Sequence, residues 1–352
     1  MRYRNFLYMG ILITSFLLAG CGRKEGEITA EKPQKQEIQE ADKIQIACCF
    51  DNFVVERWQR DRDVFVSTAQ ELGAEVNVQN GNGDAQEQIK QIEYFIDKKV
   101  DVLVVVPIDS YSLTEVIKKA KNAGIKVISY DRLALEAAPD LYISFDNEMV
   151  GKLMGTEMAK VLKKGDKMIM ICGPSEDNNV SYVERGFREA VSEKGITITD
   201  ITYIDNWKAD LAGQYVAEHL EEIREVQGIM CGNDDLAREV VRVLSENRLA
   251  GEICVVGQDA DLEACQRIVA GTQYMTVYKP IEKLAKSAAE YAVAMAKGET
   301  VVTEEFLNDG TTDVPYIKLQ PLAVTKGNID AIIIDSGFHL REDVYIERPK
   351  VQ

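Results

Sequence analysis

From residue 43 onward, short apolar runs alternate with longer segments in which apolar residues recur every three or four positions. The short runs predict β-strands, and an unbroken run such as Val102–Val106 predicts a strand that is buried on both faces. The longer segments predict amphipathic helices, such as the helix that carries Ile89, Ile92 and Ile96. Because strands and helices alternate, the pattern predicts parallel sheets with helices on both faces.

This alternation of strands and helices occurs twice along the chain and predicts two doubly wound α/β units in tandem. The predicted strands are Ile44–Cys49, Glu75–Gln79, Val102–Val106, Ile125–Tyr130 and Leu141–Phe145, then Lys167–Cys172, Ile201–Ile204, Gly228–Cys231, Ile253–Gly257 and Met275–Tyr278. Beyond Gly298 the pattern weakens. Pro315–Leu319 and Ala331–Ile334 either complete a sheet or add a last helix, and the pattern does not decide between these two structures.

Several predicted strands end in charged or amide residues, most clearly at Asp131–Arg132. Ligands of open α/β sheets bind just beyond the carboxyl ends of the parallel strands. A carboxylate only accepts hydrogen bonds and a guanidinium only donates them, whereas a sugar hydroxyl does both, so this pair suits a polyol. The candidate ligand-binding residues at predicted strand-to-helix junctions are Arg57, Asp131, Arg132, Asn179, Asn233, Asp259 and Lys279.

Each of these residues also has an ordinary explanation. Asn and Asp cap helices, and Arg and Lys are commonly solvated charges. For any one residue alone the ordinary explanation is the better one. Their repetition in both halves of the chain favours one site that is assembled from many strand ends.

The two tryptophans, Trp58 and Trp207, both follow predicted strands and lie among polar residues. An aromatic face packs well against the C–H face of a sugar while polar groups bind its hydroxyls. Alternatively, one is a lid residue and the other a surface residue. The sequence pattern gives both interpretations similar weight.

Length, charge and motif content narrow the function. A chain of 352 residues is too long for a typical single core, so we expect two domains. The net charge of −17 argues against nucleic-acid binding. His219 and His339 both lie in polar stretches and are predicted at the surface, and no nucleophile, phosphate-loop, dinucleotide or calcium motif is present. We therefore expect no catalysis, no cofactor and no metal.

Residues 1–20 have the features of a bacterial lipoprotein signal peptide. Arg2 and Arg4 precede the apolar stretch Ile11–Leu18, and Leu18–Cys21 resembles a lipobox. The resemblance implies cleavage before Cys21 and lipid on its sulfur; the alternative is an uncleaved anchor. Residues 21–42, rich in Glu, Lys and Gln, predict a flexible tether. The protein is thus expected to be exported and lipid-anchored to the outer face of the cell membrane.

Six further cysteines follow Cys21, and their spacing does not resemble a metal site. All but Cys265 fall in predicted strands, where cysteine behaves as a small hydrophobic residue, so we expect most of them to stay reduced. The neighbours Cys48 and Cys49 are expected on opposite faces of one strand.

Several segments resemble a known family in order and spacing. They are Glu56–Asp63, Val102–Val104, Tyr130–Arg132, Tyr142–Glu148, Asp177–Asn179, Gly257–Asp261 and Met275–Pro280. On these segments the chain resembles the periplasmic sugar-binding proteins of the ribose/galactose type, and among them the D-xylose-binding proteins of ABC transporters. The resemblance covers nearly everything after the tether.

The resemblance implies a type I periplasmic binding protein, an α/β fold of two doubly wound parallel-sheet lobes joined by three hinge crossings. The crossings are expected near Asp146–Asn147, Lys279–Pro280 and Asp309–Thr312. The N-terminal lobe would then comprise residues 43–146 plus 280–309. The C-terminal lobe would comprise residues 147–279 plus 310–345.

The resemblance also implies the ligand-binding set and the function. The first lobe would contribute Arg57, Trp58, Asp131 and Arg132, and the second lobe or the hinge would contribute Asp177, Asn179, Trp207, Asn233, Asp259 and Lys279. Trp58 and Trp207 would flank the sugar ring. The implied protein is a monomer that closes on a monosaccharide, D-xylose above its epimers, and delivers it to an ABC permease. Because the lipobox departs from the soluble relatives, a xylose-sensing subunit of a membrane histidine kinase remains the alternative.

Overall fold

A computed structural model describes residues 43–53 and 57–346. The predicted signal peptide, Cys21 and the tether lie outside these residues. In chain order, the first elements are β1 (Gln45–Phe50), α1 (Arg57–Glu71), β2 (Glu75–Asn80), α2 (Ala85–Lys98), β3 (Val102–Val105), α3 (Thr114–Asn122), β4 (Lys126–Tyr130) and β5 (Leu141–Phe145). The strand–helix alternation predicted from the sequence is present up to β4, and β5 follows β4 without a helix between them, as the sequence predicts.

The following elements repeat the alternation in a second sheet. They are α4 (Asn147–Val161), β6 (Lys167–Cys172), α5 (Asn178–Ser192), β7 (Thr197–Tyr203), a 3₁₀ turn (Asp205–Trp207), α6 (Ala209–Glu218), α7 (Leu220–Ile223), β8 (Gly228–Cys231), α8 (Asp234–Glu246), β9 (Cys254–Gln258), α9 (Leu262–Ala270) and β10 (Met275–Tyr278). The last elements are α10 (Ile281–Ala296), β11 (Phe306–Asn308), β12 (Asp313–Leu319), β13 (Leu322–Thr325), a π-helical turn (Asp330–Ile334) and α11 (Arg341–Val344).

The described strands form two sheets, each the centre of one lobe. The seven-stranded sheet of the first lobe has the order β11-β12-β5-β4-β3-β1-β2, and the six-stranded sheet of the second lobe has the order β13-β10-β9-β8-β6-β7. The pairs are parallel except for the edge pairs β11–β12 and β10–β13. The predicted class, two doubly wound lobes with mainly parallel sheets, is confirmed.

Both faces of each sheet are covered by helices, as the unbroken apolar strands predict. In β1, Cys48 packs in one core cluster and Cys49 in the cluster on the opposite face, because successive side chains alternate. In β6, Ile169 and Met170 divide in the same way between the two cores of the second lobe. The six cysteines from Cys48 onward are buried, and none of these described cysteines forms a disulfide bond.

The chain passes between the two sheets three times within the described residues. The crossings follow β5 at Asp146, β10 at Lys279–Pro280, and β12 at Gln320–Pro321. The first and third lie side by side, since the backbone N–H of Asp146 donates to the carbonyl of Leu319 at 2.9 Å. These adjacent passages form the hinge region.

The predicted third crossing, near Asp309–Thr312, is wrong, and so is the placement of Asp313–Leu319 in the second lobe. This segment is β12, which pairs in parallel with β5 of the first lobe from Tyr316↔Tyr142 to Leu319↔Phe145. Its apolar residues Val314 and Tyr316 are buried there. The carboxylate of Asp309 binds the turn before β12 and the backbone N–H of Ala138, which attaches this hairpin to the first lobe.

The undecided segment Ala331–Ile334 forms the π-helical turn and adds no strand. Ile333 packs in the cluster that contains α10 and part of α9. In the part of the chain that the structure describes, no helix combines the length and the apolarity needed to cross a bilayer.

Candidate ligand-binding site

One cavity lies where the carboxyl ends of strands from both sheets face each other, and it contains about 570 Å³ of empty space including its opening to solvent. All ten side chains predicted as ligand-binding residues line this cavity: Arg57, Trp58, Asp131, Arg132, Asp177, Asn179, Trp207, Asn233, Asp259 and Lys279. The remaining lining residues are Asn147, Cys172, Gly173, Val180, Val183, Met230, Gly232 and Gln258.

Asp131 follows β4 and has a left-handed backbone conformation, with φ of +62°. This conformation is sterically unfavourable for aspartate and persists only where the surrounding residues stabilise it. Here the N–H of Asp131 donates to the carbonyl of Ile143 at 2.8 Å, and its own carbonyl accepts from the hydroxyls of Ser144 and Tyr142 at 2.6 and 3.0 Å. The carboxylate of Asp131 is thereby held against the cavity.

Arg57, the first residue of α1, is the cation that faces Asp131. Its Nη2 lies 2.9 Å from the Asp131 carboxylate, its Nη1 lies 3.9 Å from that of Asp259, and the same guanidinium binds Asp61. Burial alone would raise the pKa of Asp131, but Arg57, Lys279 and Arg132 outweigh it and hold that pKa below its ordinary value. Asp131 is therefore an ionised acceptor at neutral pH.

Asp61 lies behind Arg57 and is fully buried, but it does not line the cavity. It accepts a hydrogen bond from the hydroxyl of Tyr130 as well as those from Arg57. Burial raises the pKa of Asp61 despite the nearby Arg57. The residue orients the guanidinium of Arg57 towards the two carboxylates of the cavity wall.

Arg132 connects the first lobe to the second. Its Nη1 donates to the Asp51 carboxylate and, at 3.1 Å, to the carbonyl of Pro107. On the other side of the cleft its Nε lies 2.6 Å from the carboxylate of Asp177. All three charged groups are buried, so both carboxylates depend on this one arginine.

Asp177 and Asn179 are brought to the cavity by the beginning of α5. Asp177 caps the helix by accepting from the N–H of Asn179 at 3.0 Å. The amide Nδ2 of Asn179 donates to the carbonyl of Asp131 at 3.0 Å. Asn233 similarly caps α8 by accepting from the N–H of Leu236 at 2.9 Å. Helix capping and cavity lining therefore coincide at these positions, and the two explanations of the sequence do not exclude each other.

Trp207 lies in the 3₁₀ turn with φ of +56°, and its ring covers the backbone of Gly173 and Gly232. A Cβ at Gly173 would overlap the ring carbons, and one at Gly232 would lie 3.1 Å from the ring. The indole Nε1 donates to Asp177 at 3.3 Å. The two glycines thus provide the space that lets this indole form a wall of the cavity.

Trp58, in the first turn of α1, is only 3% exposed and packs edge-on against Phe50 with ring centroids 6.2 Å apart. The guanidinium of Arg57 lies over its ring at 4.4 Å from the centroid. Both indoles therefore line one cavity. The sequence pattern alone did not decide whether they do.

Asp259 and Lys279 form the hinge-side wall. The ammonium of Lys279 lies 2.6 Å from the Asp259 carboxylate and donates to Gln258 at 3.1 Å, and Gln258 in turn donates to the carbonyl of Gly232 at 2.5 Å. Asp259 has φ of +105°, so three cavity residues, Asp131, Trp207 and Asp259, have positive φ. Backbone strain of this kind is concentrated at functional sites.

A family model described as the periplasmic binding protein domain matches residues 47–300. The chain belongs to the periplasmic binding protein family. It is 41% identical over 307 residues to a D-xylose-binding periplasmic protein of Haemophilus influenzae, covering 86% of this chain and 92% of the relative. A D-xylose-binding periplasmic protein of Escherichia coli is 38% identical over 309 residues, with coverage of 86% and 93%.

Solved structures agree with the fold of this periplasmic binding protein. A solute-binding protein from Clostridium phytofermentans with bound β-D-glucose superposes with a TM-score of 0.76 at 25% identity, covering 86% of this chain and 100% of that one. One from Chloroflexus aurantiacus in complex with D-glucose gives a TM-score of 0.77 at 26% identity, with coverage of 85% and 98%. The family predicted from the sequence is confirmed.

Membership of this binding-protein family confirms that the chain is not an enzyme. Among residues 43–53 and 57–346, no group of His, Cys, Asp and Glu is arranged to hold a metal ion. His339, predicted at the surface, is buried, and its Nε2 lies 2.8 Å from the carbonyl of Ala260. Burial lowers the pKa of His339, which is the expected effect on a histidine taken out of water.

Two polar lining residues of this periplasmic binding protein, Asn147 and Gln258, are missing from the predicted set. Asn147 is the first residue of α4, beside the hinge, and donates to Ser144 at 3.3 Å. Both lie in segments that carry the family resemblance. An amide side chain at the end of a strand or helix is equally typical of capping. The positions of these two residues in the sequence therefore did not identify them as part of the cavity.

Proposed function

We propose that the chain is an exported binding protein for a monosaccharide, with D-xylose as its main ligand, and that it delivers the sugar to an ABC transporter permease. The observation that supports this most is that both indoles, together with charged donors and acceptors from both lobes, line one cavity. The two relatives that are named for D-xylose support the choice of sugar. Both are named as periplasmic proteins, which supports export.

The chemistry of the cavity suits a neutral polyol. Three ion pairs, Arg57–Asp131, Arg132–Asp177 and Lys279–Asp259, face the cavity. A hydroxyl placed beside such a pair donates to the carboxylate and accepts from the cation. The indoles of Trp58 and Trp207 offer apolar faces to the C–H groups of a pyranose ring. A charged ligand would instead disturb the balance within each pair.

Ligand binding would favour the arrangement in which the lobes face each other closely. Arg57 and Asp131 belong to the first lobe, and Asp177 and Trp207 belong to the second. A sugar that contacts both sets has a higher affinity for the closed lobes than for open ones, and this difference shifts the population. Closed lobes would then be the form that the permease recognises.

Intrinsic fluorescence tests the proposal directly, because both tryptophans of the chain line the cavity. Titration with D-xylose is expected to change the emission and to saturate at one sugar per protein. D-glucose, D-ribose and D-galactose serve as comparison ligands, and calorimetry with the same panel gives the affinities. Absence of binding by every monosaccharide would contradict the proposal.

Lipid anchoring through Cys21 is the second part of the proposal. Fractionation of cells that produce the wild type and Cys21→Ser checks it. The wild type is expected in the membrane fraction, and the variant is expected to lose lipid modification. A wild type that is released without lipid would overturn this part and leave sugar binding untouched. Neither relative is named as a kinase subunit, so we do not extend the proposal to the sensor alternative.

A further inference from the structure

Four consecutive residues of the second lobe, Glu176–Asn179, contact the first lobe, and only two of them line the cavity. Asp177 and Asn179 belong to the lining, whereas Glu176 and Asn178 do not. The first-lobe partners of the latter two, Ser110 and Leu133, also lie outside the lining. We call these four residues, Ser110, Leu133, Glu176 and Asn178, the interlobe clasp.

Three neutral hydrogen bonds make up the interlobe clasp. The backbone N–H and the hydroxyl of Ser110 both donate to the carbonyl of Glu176, at 3.0 and 2.7 Å. The N–H of Leu133 donates to the side-chain Oδ1 of Asn178 at 3.1 Å. Asn178 is 9% exposed, and its Nδ2 has no hydrogen-bond partner among the described residues, so the bond from Leu133 is what orients this amide.

On each side of the cleft, further contacts within the same lobe fix the position of the interlobe clasp residues. In the first lobe, the carbonyl of Ser110 accepts from the N–H of Leu135 at 2.6 Å, and the hydroxyl of Thr114 donates to the carbonyl of Leu135 at 2.9 Å. In the second lobe, Asn178 is the first residue of α5, directly after the capping residue Asp177. The three bonds therefore join two ordered segments.

We propose that the interlobe clasp stabilises the closed lobes independently of the sugar, so that Ser110 and Asn178 are positioning residues that set affinity without setting selectivity. The inference rests on the proposed function, in which the lobes close on a monosaccharide. An interaction that exists only in the closed state, and touches no ligand, changes the population of the binding-competent form. It therefore scales the apparent dissociation constants of all ligands by one factor.

The variants Ser110→Ala and Asn178→Ala test the proposal by titration with D-xylose and D-glucose. Loss of one neutral hydrogen bond is expected to raise each dissociation constant roughly two- to twelve-fold. The ratio between the two sugars is expected to stay within about two-fold, because the cavity is unaltered. Ser192→Ala is the matched control, since its hydroxyl bonds to Glu189 within α5 at 2.9 Å and does not cross the cleft.

Unchanged affinities in both variants would overturn the proposal, and so would a change in affinity for one sugar only, which would indicate direct contact. If Asn178→Ala does not fold, Ser110→Ala decides alone, because it removes one hydroxyl and keeps the backbone bond to Glu176.

Small-angle X-ray scattering without sugar separates this proposal from the proposed function. The double variant is expected to have a larger radius of gyration than the wild type without sugar, and the same radius at saturating D-xylose. If the protein binds D-xylose but the sugar-free radius of gyration is the same in the wild type and the double variant, the proposed role of the interlobe clasp is wrong and the sugar-binding function is retained. A protein that binds no monosaccharide, but whose double variant expands, refutes the sugar function and retains the clasp.

Discussion

Arg132 of the first lobe and Asp177 of the second form a buried ion pair, with Nε and the carboxylate 2.6 Å apart. The same guanidinium binds Asp51 of its own lobe. This arginine therefore neutralises two buried carboxylates, one on each side of the cleft, while it lines the cavity. Cavity lining, interlobe contact and charge balance therefore involve the same side chain.

Replacement of Arg132 is expected to weaken sugar binding strongly. In Arg132→Ala, Asp51 and Asp177 lose their shared cation, and binding of D-xylose is expected to weaken by about 2–4 kcal/mol, as for other buried anchors. Calorimetry measures the loss. Arg185→Ala is the matched control, because exposed Arg185 pairs with Glu148 within the second lobe. A loss below about 0.5 kcal/mol in Arg132→Ala would mean that the ligand lies elsewhere.

Trp58→Ala is expected to weaken D-xylose binding by about 2–4 kcal/mol, because it removes one apolar face of the cavity. Thermal unfolding is measured in parallel, since Trp58 also packs against Phe50 and part of any loss would be structural. The exposed aromatic Phe306 provides the control Phe306→Ala. Equal affinities of wild type and Trp58→Ala would exclude ring stacking on this indole.

Gly173→Ala is expected to displace Trp207, because the added methyl group would overlap its ring. The ring would then move into the cavity or away from it, and either movement lowers affinity. In a Trp58→Phe background, where Trp207 is the remaining tryptophan, its emission is expected to shift relative to the Gly173 protein. Gly327→Ala is the control, since a Cβ there has no neighbour closer than 3.8 Å. An unshifted emission would contradict the observed packing.

Protonation of Asp131 is expected to lower the stability of the folded protein in acid. Its pKa in the folded protein is lower than the ordinary value of 3.8, so on acidification the unfolded chain takes up the proton first. The free energy of unfolding therefore falls as the pH drops from about 4 through that lowered pKa. Urea unfolding between about pH 5 and pH 2 is expected to show a shallower acid dependence for Asp131→Asn than for wild type.

Exposed Asp335 supplies the control for the acid experiment, as Asp335→Asn removes one carboxylate from the surface. It is expected to retain the acid dependence of the wild type. An Asp131→Asn protein with the same acid dependence as wild type would show that Arg57 does not stabilise the ionised Asp131.

Local patterns were sufficient for most elements, whereas Asp177 was assigned to the cavity only by the family resemblance, and Asn147 and Gln258 were missed. The run Val127–Tyr130 is apolar or β-branched enough to predict β4, and a polar residue that directly follows a parallel strand must lie at the ligand-binding edge of the sheet. The strand β12 was assigned to the wrong lobe because its pairing with β5 joins residues about 170 positions apart, as in Tyr316↔Tyr142. A seven-residue segment contains no information about which sheet edge is vacant.

The sequence by itself determined the two-fold strand–helix alternation, because hydrophobic period is a local property of the chain, and its resemblance to a known family implied ten of the side chains around one cavity. Only the tertiary structure decided how those side chains pair. The Arg132–Asp177 ion pair, the indole of Trp207 on Gly173, and the bond from the N–H of Leu133 to Asn178 all join distant segments. A backbone N–H is present at every residue except proline, so its partner becomes identifiable only when the two lobes face each other.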